Sequence, residues 1–440
     1  MGNQIIQSLV GTGKGILGEF TPPPDKSITH RAIILASLSP KKSIIKNPLL
    51  SGDCLSTLNA FRKLGVPIEQ RGNELFVSEG KRSLFSPLRE LKAPVSPIDC
   101  ENSGTTMRLL AGVLAAQNFE SELVGDSSLS RRPMRRVLEP LRQMGAAISA
   151  REDNFAPLKI KGNPHLKPIS WKSPVASAQV KSAILLAALF PRGKTTVIEP
   201  EKSRDHTERM LKSSGAGIQI KGNRVVLEGP GSLKGLHVKI PGDCSSAAFF
   251  LAAAALVSGS RLAIRDVNLN PTRTGFLSLL KRMKAKINLS SIKEALGEPL
   301  GNIKMTPSSL NAVQISKKDI PSLIDEIPIL AVLATQAKGK TVISGAEELR
   351  VKESDRIHSV VTELKKMGAC IQEKKDGMVI EGPTPLKGTK VKSYGDHRMA
   401  MSLAIAGLIA EGATEIEDFD CVKISFPNFL PQLKRLCLRN

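Results

Sequence analysis

At 440 residues the chain is long enough for two domains with substantial cores, and its formal charge of +22, from 63 Lys and Arg against 41 Asp and Glu, implies anionic company. One Trp, one Tyr and 3% aromatic residues argue against a nucleic-acid binder, which pairs a basic stripe with stacking rings. The six cysteines show no CxxC, CxxH or HxxxH spacing, no stretch reaches the roughly 18 apolar residues of a membrane span, and the N-terminus lacks a signal-peptide order, so the sequence reads as a cytoplasmic, soluble chain with reduced cysteines, no metal site and no membrane partner.

In chain order, residues 3–20 read as strands. "PPDKSITHRAIILASL" from Pro23 then reads as an Ala-rich helix with Asp25 and Ser27 as candidate caps. Lys26, His30 and Arg31 place cations in its first turn or so, where the helix dipole is already positive and each costs about 0.3–1 kcal/mol. Five further segments share this pattern, about 70 to 80 residues apart: "ENSGTTMRLLAGVLAA", "VASAQVKSAILLAALF", "GDCSSAAFFLAAAALV", "IDEIPILAVLATQAKG" and "GDHRMAMSLAIAGLIA". Each opens on small or polar residues and continues as an apolar helix that must be buried nearly all round. An amphipathic helix follows each, as in "RPMRRVLEPLRQMGA" and "KESDRIHSVVTELKKMGA", several ending at the Gly expected beyond a helix C-terminus. Most copies then carry a hairpin, as in "AGIQIKGNRVVLEG" and "ACIQEKKDGMVIEG".

The unit is therefore βαβαββ, six times, in the α/β class. The sixth copy runs out without its hairpin, while residues 3–20 supply strands before the first copy. The expected organisation is two three-repeat domains, 24–241 and 1–23 plus 242–440, with crossings at "TPPP" and "KIPGD".

Cations recur at the helix starts: Lys26 and Arg31, Arg132, Arg204, Lys352 with Arg356, and His397 with Arg398. One such residue alone is more often solvated surface. Their repetition favours a positive site built from side chains and helix dipoles, for a ligand with more than one phosphate or carboxylate.

The segments "DKSITHR", "NSGTTMRLLAG", "RRPM", "SAQVKSA", "SRDHTE", "LNPTRTG", "IDEIP", "LRVKESDRI" and "GDHRMAM", in that order and across essentially the whole chain, resemble the 5-enolpyruvylshikimate-3-phosphate synthase family of enolpyruvyl transferases. The resemblance implies two domains of three βαβαββ units each, an inside-out α/β barrel, around a hinged cleft. It also implies transfer of enolpyruvyl from phosphoenolpyruvate to the 5-hydroxyl of shikimate 3-phosphate, on the shikimate pathway to chorismate and aromatic amino acids, by a monomer without cofactor or metal and open to glyphosate. Carried over position by position, Lys26, Ser27, Ser177, Ala178, Gln179 and Arg204 hold the shikimate 3-phosphate phosphate, and Arg31, Asp325 and Lys352 its carboxylate and hydroxyls. Phosphoenolpyruvate meets Lys26, Gly104, Arg132, Gln179, Arg356 and Arg398, with Asn102, Thr105 and His397 in support. Guanidinium forks suit both anions bidentately. Asp325 is the candidate base at the hydroxyl, and Lys26 and Glu353 the candidates at the enolpyruvyl carbon.

Two positions depart from the family pattern. Pro24 stands where relatives usually have Gly, fixing φ and removing an N–H at the first crossing. Ile424 occupies the place of a lysine that contacts phosphoenolpyruvate in some relatives, with Lys423 one position earlier. Lys26-Ser27, instead of Lys-Asn, and Cys100 before "ENSG", instead of in a loop near the donor, separate the chain from the UDP-N-acetylglucosamine enolpyruvyl transferases. A binding protein that keeps the cleft without turnover is the non-enzymatic alternative.

Overall fold

The computed structural model describes residues 2–437. The chain separates into two compact units. One comprises Pro24–Ile240 with the short segment Glu294–Glu298; the other takes residues up to Pro23, Pro241–Lys293 and Pro299 onward. The sequence pattern did not anticipate the Glu294–Glu298 exchange. That segment is the tip of the hairpin Lys286–Ala295 with Glu298–Thr306, and Arg209 Nη1 donates to its Gly297 carbonyl at 2.7 Å.

In the Pro24–Ile240 unit one strand pattern recurs. Gly193–Ile198 lies parallel to Ser170–Lys172 and antiparallel to Arg224–Gly229, which closes a hairpin with Gly217–Lys221. Ile98–Asp99, Glu120–Val124, Phe155–Lys161 and Ala147–Arg151 repeat it. Ser43–Lys46 takes its parallel neighbour from the far end of the unit, His237–Lys239. The inner helices Lys26–Leu38, Gly104–Ala115 and Ala178–Ala187 are apolar on nearly every side and correspondingly buried; in Gly104–Ala115 only Thr105 escapes full burial. Gly112 sets the approach of two of them, because a Cβ there would collide with the Ala183 backbone. That close approach brings Thr105 within reach of Gln179.

In the second unit the N-terminal residues supply two strands. Leu17–Phe20 runs parallel to Arg261–Asn268, and Gln4–Ile6 antiparallel to Thr414–Glu417 in a three-stranded sheet. The chain's ends meet on the Cys244–Leu256 helix. The Phe250 ring lies 4.5 Å from Phe20, 5.7 Å from Phe426 and 5.4 Å from Phe429, centroid to centroid. Such ring pairs contribute about 0.5–1.5 kcal/mol each beyond their buried area.

"IDEIPILAVLATQAKG" forms a 3-10 turn over Ile324–Glu326 before the helix Ile327–Thr335. Pro328, second in that helix, lacks only an N–H that would have no partner there. Asp325 is thereby held on the turn, clear of the helix.

Candidate active site

In the Pro24–Ile240 unit, Lys26 opens its helix and its Nζ lies 2.9 Å from Asp53 Oδ2, both side chains mostly buried. Asp25 is the N-cap and accepts from the Ile28 N–H at 2.9 Å. Arg31 is 5% exposed. Its guanidinium donates from Nε to Thr207 Oγ1 at 2.6 Å, from Nη2 to Ser182 Oγ at 2.9 Å and from Nη1 to the Ser27 carbonyl at 3.1 Å. Burial lowers its pKa to about 10, which leaves it charged at neutral pH.

His30 departs from the sequence reading. The ring is wholly buried, Nδ1 sits 2.7 Å from Thr57 Oγ1, and burial pushes its pKa down to about 3. It is neutral at physiological pH, so the first turn holds two cations, Lys26 and Arg31. Thr57 Oγ1 continues to Thr106 Oγ1 at 2.7 Å, and Thr106 to Ser103 Oγ at 2.7 Å, so the ring anchors the start of the next inner helix.

Ser103 caps that helix through the Thr106 N–H at 3.1 Å, and Gly104 is its first residue. A Cβ on Gly104 would stand 2.8 Å from Arg108 Nη1 and 3.5 Å from Arg132 Nη1. Arg132 donates to Asn102 Oδ1 at 2.6 Å and to Ser128 Oγ at 3.2 Å. The Gln179 amide is fixed at both ends: Oε1 accepts from Arg108 Nη1 at 2.7 Å and Nε2 donates to Thr105 Oγ1 at 3.0 Å. Ser177 caps the third inner helix through the Val180 N–H at 3.4 Å, with Ala178 as its first residue. Arg204 stands half-buried on the loop between Gly193–Ile198 and the helix His206–Ser213.

In the second unit the arginines meet carboxylates. Arg356, 1% exposed, reaches Asp396 Oδ2 at 2.8 Å, Glu353 Oε2 at 2.6 Å and Asp325 Oδ1 at 3.3 Å. Burial alone would lower its pKa, but Asp396, Glu353 and Asp325 together raise it above the usual arginine value. Burial alone would likewise raise the Asp396 carboxyl; the Arg356 guanidinium holds it below the ordinary range. Asp396 also caps the helix His397–Ile409, accepting from the Arg398 N–H at 2.9 Å. Arg398 Nη2 lies 3.6 Å from Asp325 Oδ2, and its Nη1 donates to the Asp325 carbonyl at 3.1 Å. Lys352 follows the 3-10 turn Glu347–Val351, and burial, reinforced by Arg356 and opposed by Asp325, pulls its ammonium below its ordinary pKa.

Several of the residues singled out from sequence bond one another: Gln179 with Thr105 and Arg132 with Asn102 in the first unit, Arg356 with Asp325 and Glu353 and Arg398 with Asp325 in the second. Three connecting groups did not emerge from the sequence: Arg108, which orients Gln179; Asp396, which carries both Arg356 and a helix cap; and Arg273. Arg273 is fully buried and donates from Nη2 to Ser245 Oγ at 2.5 Å and Asp243 Oδ1 at 3.2 Å, while Ser245 donates on to Glu326, beside Asp325. All three lie inside matched motifs, so membership in those motifs was the available signal. Lys423, by contrast, is 71% exposed at its side chain and pairs with Asp420 at 2.6 Å.

Among the described residues no group of three or more His, Cys, Asp or Glu side chains could hold a metal ion, and no helix is long and apolar enough to cross a membrane. What these contacts offer is a set of oriented guanidinium and ammonium groups with carboxylates among them, suited to a ligand bearing phosphate or carboxylate groups.

Comparison with known proteins agrees. The family profile for EPSP synthase (3-phosphoshikimate 1-carboxyvinyltransferase) matches residues 10–433. A 3-phosphoshikimate 1-carboxyvinyltransferase of Thermodesulfovibrio yellowstonii is 52% identical over 434 residues, covering 98% of this chain and 100% of that protein. One of Geobacillus kaustophilus is 51% identical, covering 95% of this chain and 97% of that protein. A solved structure of EPSP synthase from Acinetobacter baumannii superimposes with a TM-score of 0.86 at 41% identity, covering 99% of this chain and 98% of that one. The chain belongs to the EPSP synthase family of enolpyruvyl transferases, and its fold is that family's two-domain inside-out α/β barrel.

Proposed function

We propose that the chain performs its family's reaction through the residues described above, as a cytoplasmic monomer that binds neither nucleic acid nor membrane, with 24–241 and 1–23 plus 242–440 as its two domains. The 5-hydroxyl oxygen of shikimate 3-phosphate attacks C2 of phosphoenolpyruvate while the hydroxyl loses its proton and C3 gains one. The C2–O bond to phosphate then breaks, phosphate leaves, and C3 returns a proton as the double bond re-forms. Asp325 takes the hydroxyl proton, and Lys26 and Glu353 serve C3. Ser177, Ala178, Gln179 and Arg204, with Lys26 and Ser27, hold the substrate phosphate; Arg31 and Lys352 meet its carboxylate and hydroxyls. Gly104, Arg132, Gln179, Arg356 and Arg398, with Asn102, Thr105 and His397 in support, receive phosphoenolpyruvate.

The observation that carries this reading is Asp325 shared between two guanidinium groups, 3.3 Å from Arg356 and 3.6 Å from Arg398. The two guanidinium groups fix the carboxylate's orientation and leave positive charge for an anion beside it. The test is phosphate release from phosphoenolpyruvate with shikimate 3-phosphate or UDP-N-acetylglucosamine as acceptor. Turnover only with the former supports the reading; turnover with the latter, or binding without release, refutes it.

A further inference from the structure

One buried charged cluster has no part in the chemistry above. Lys181 lies two residues beyond Gln179 on the Ala178–Ala187 helix, with 2% of its side chain exposed. Its Nζ is 2.6 Å from Glu199 Oε2, 2.8 Å from Glu208 Oε1 and 3.5 Å from the Ser203 carbonyl oxygen. Glu199 follows the strand Gly193–Ile198, and its Oε2 also accepts from the Ser203 N–H at 3.3 Å. Glu208 belongs to the His206–Ser213 helix, next to Thr207, which holds Arg31.

Burial would drive the Lys181 ammonium towards neutrality, but Glu208 and Glu199 keep it charged, while burial raises Glu208. Replacing such a buried ionic cluster by apolar side chains is often neutral or stabilising, so stability alone is a poor reason for its presence. Its effect on geometry is specific. Both backbone polar groups of Ser203, the residue before Arg204, are tied through this cluster to the helix that Ser177 caps, and the Lys181 N–H bonds the Ser177 carbonyl at 3.0 Å.

We propose that Lys181 is a positioning residue: through Glu199, Glu208 and Ser203 it sets the loop bearing Arg204 against the helix start bearing Ser177 and Gln179, and so shapes the subsite for the phosphate of shikimate 3-phosphate. The inference rests on assigning Ser177, Gln179 and Arg204 to that phosphate, as proposed above. Lys181 touches no substrate. Because Ser177 and Arg204 serve shikimate 3-phosphate alone while Gln179 is shared, its influence falls more on the affinity for shikimate 3-phosphate than on that for phosphoenolpyruvate, and it leaves the chemical step alone.

The test compares Arg204→Ala, Lys181→Arg and the uncharged triple variant Lys181→Met/Glu199→Gln/Glu208→Gln in the full chain, by steady-state kinetics with both substrates varied and by thermal unfolding. Arg204→Ala should raise the KM for shikimate 3-phosphate about tenfold or more, as loss of a charged hydrogen-bond donor does. The triple variant leaves no charge unpaired but buries two amides at carboxylate positions where one oxygen, Oε1 of Glu199 and Oε2 of Glu208, lacks a hydrogen-bond partner. It should therefore unfold several degrees below wild type while staying folded in the assay, and raise the same KM about tenfold, with kcat and the KM for phosphoenolpyruvate within about threefold. Lys181→Arg keeps the charge on a longer, planar head, and should raise that KM about threefold with the same selectivity. If Arg204→Ala leaves the KM unchanged, the phosphate assignment falls and the proposal with it. If Arg204→Ala acts but the Lys181 variants do not, or if they change both KM values and kcat together, Lys181 does not position this subsite.

Discussion

The two units treat their site guanidinium groups differently, although Lys26 of the first unit pairs with the Asp53 carboxylate. In the Pro24–Ile240 unit Arg31 bonds the Thr207 and Ser182 hydroxyls, Arg108 the Gln179 amide, and Arg132 the Asn102 amide and Ser128 hydroxyl. Of its three inner helices two begin on neutral caps, Ser103 and Ser177, and one on Asp25. In the other unit Arg356 and Arg398 meet Asp325, Glu353, Glu326 and Asp396, and the inner helices Cys244–Leu256 and His397–Ile409 begin on aspartates. A guanidinium bonded to neutral oxygens keeps its positive potential for an incoming anion, whereas one bonded to carboxylates orders groups that move protons. The difference teaches a division of labour. Under the roles proposed above, the first unit gathers the contacts to the substrate's phosphate and the second carries Asp325 and Glu353, with Lys26 of the first completing the proton-transfer groups.

The largest effect should follow from removing the base in the carboxylate-rich unit. Asp325→Asn keeps a side chain able to accept from Arg356, and kcat should fall about 10²–10⁴-fold, the usual loss for a general base. Activity within tenfold of wild type would break the comparison. Lys26→Met tests the other side: kcat/KM should fall about 10²–10³-fold, as for a lost electrostatic contact in a dry site, while Lys423→Met stays within about twofold of wild type. Equal losses for both lysines would remove Lys26 from its proposed role.

Gly104→Ala sharpens the comparison. Its Cβ would press on Arg108 Nη1, which fixes the Gln179 amide, before it approached Arg132. Inhibition by glyphosate, a longer anion than phosphoenolpyruvate, should weaken about tenfold, more than the rise in the KM for phosphoenolpyruvate, since added bulk discriminates against the longer ligand. Equal effects on both would show that Gly104 does not line that subsite.

A smaller effect concerns pH. Because the folded pKa of His30 lies at about 3, below its unfolded value of 6.5, the unfolded state binds the extra proton between those limits and stability falls as pH drops. The contribution is up to about 1.4 kcal/mol per pH unit. Urea midpoints between pH 6.5 and 4.5 should therefore fall less steeply in His30→Gln, and parallel curves would return His30 to the cations of its helix start.

Much of this arrangement was legible in the sequence because the repeat writes an apolar helix and a hairpin locally, and because the motifs sit at helix starts. Burial was not legible at His30, whose ring looks like a cation until its surroundings remove water. Nor were partners far apart in the chain. Arg108 and Gln179 are separated by 71 positions, Arg31 and Thr207 by 176, and nothing in either neighbourhood names the other. The hairpin tip Glu294–Glu298 reads locally as an ordinary turn, and the Phe20, Phe250 and Phe429 cluster joins the two ends of the sequence. Packing decides these features, and no periodicity records them.

The division between the units is tested most directly by calorimetric binding of shikimate 3-phosphate alone to wild type, Arg204→Ala and Arg356→Lys. The account predicts that Arg204→Ala weakens binding about tenfold or more, the worth of a charged hydrogen bond, while Arg356→Lys stays within about threefold. The reverse order, with Arg356→Lys losing the ligand and Arg204→Ala retaining it, would contradict the account.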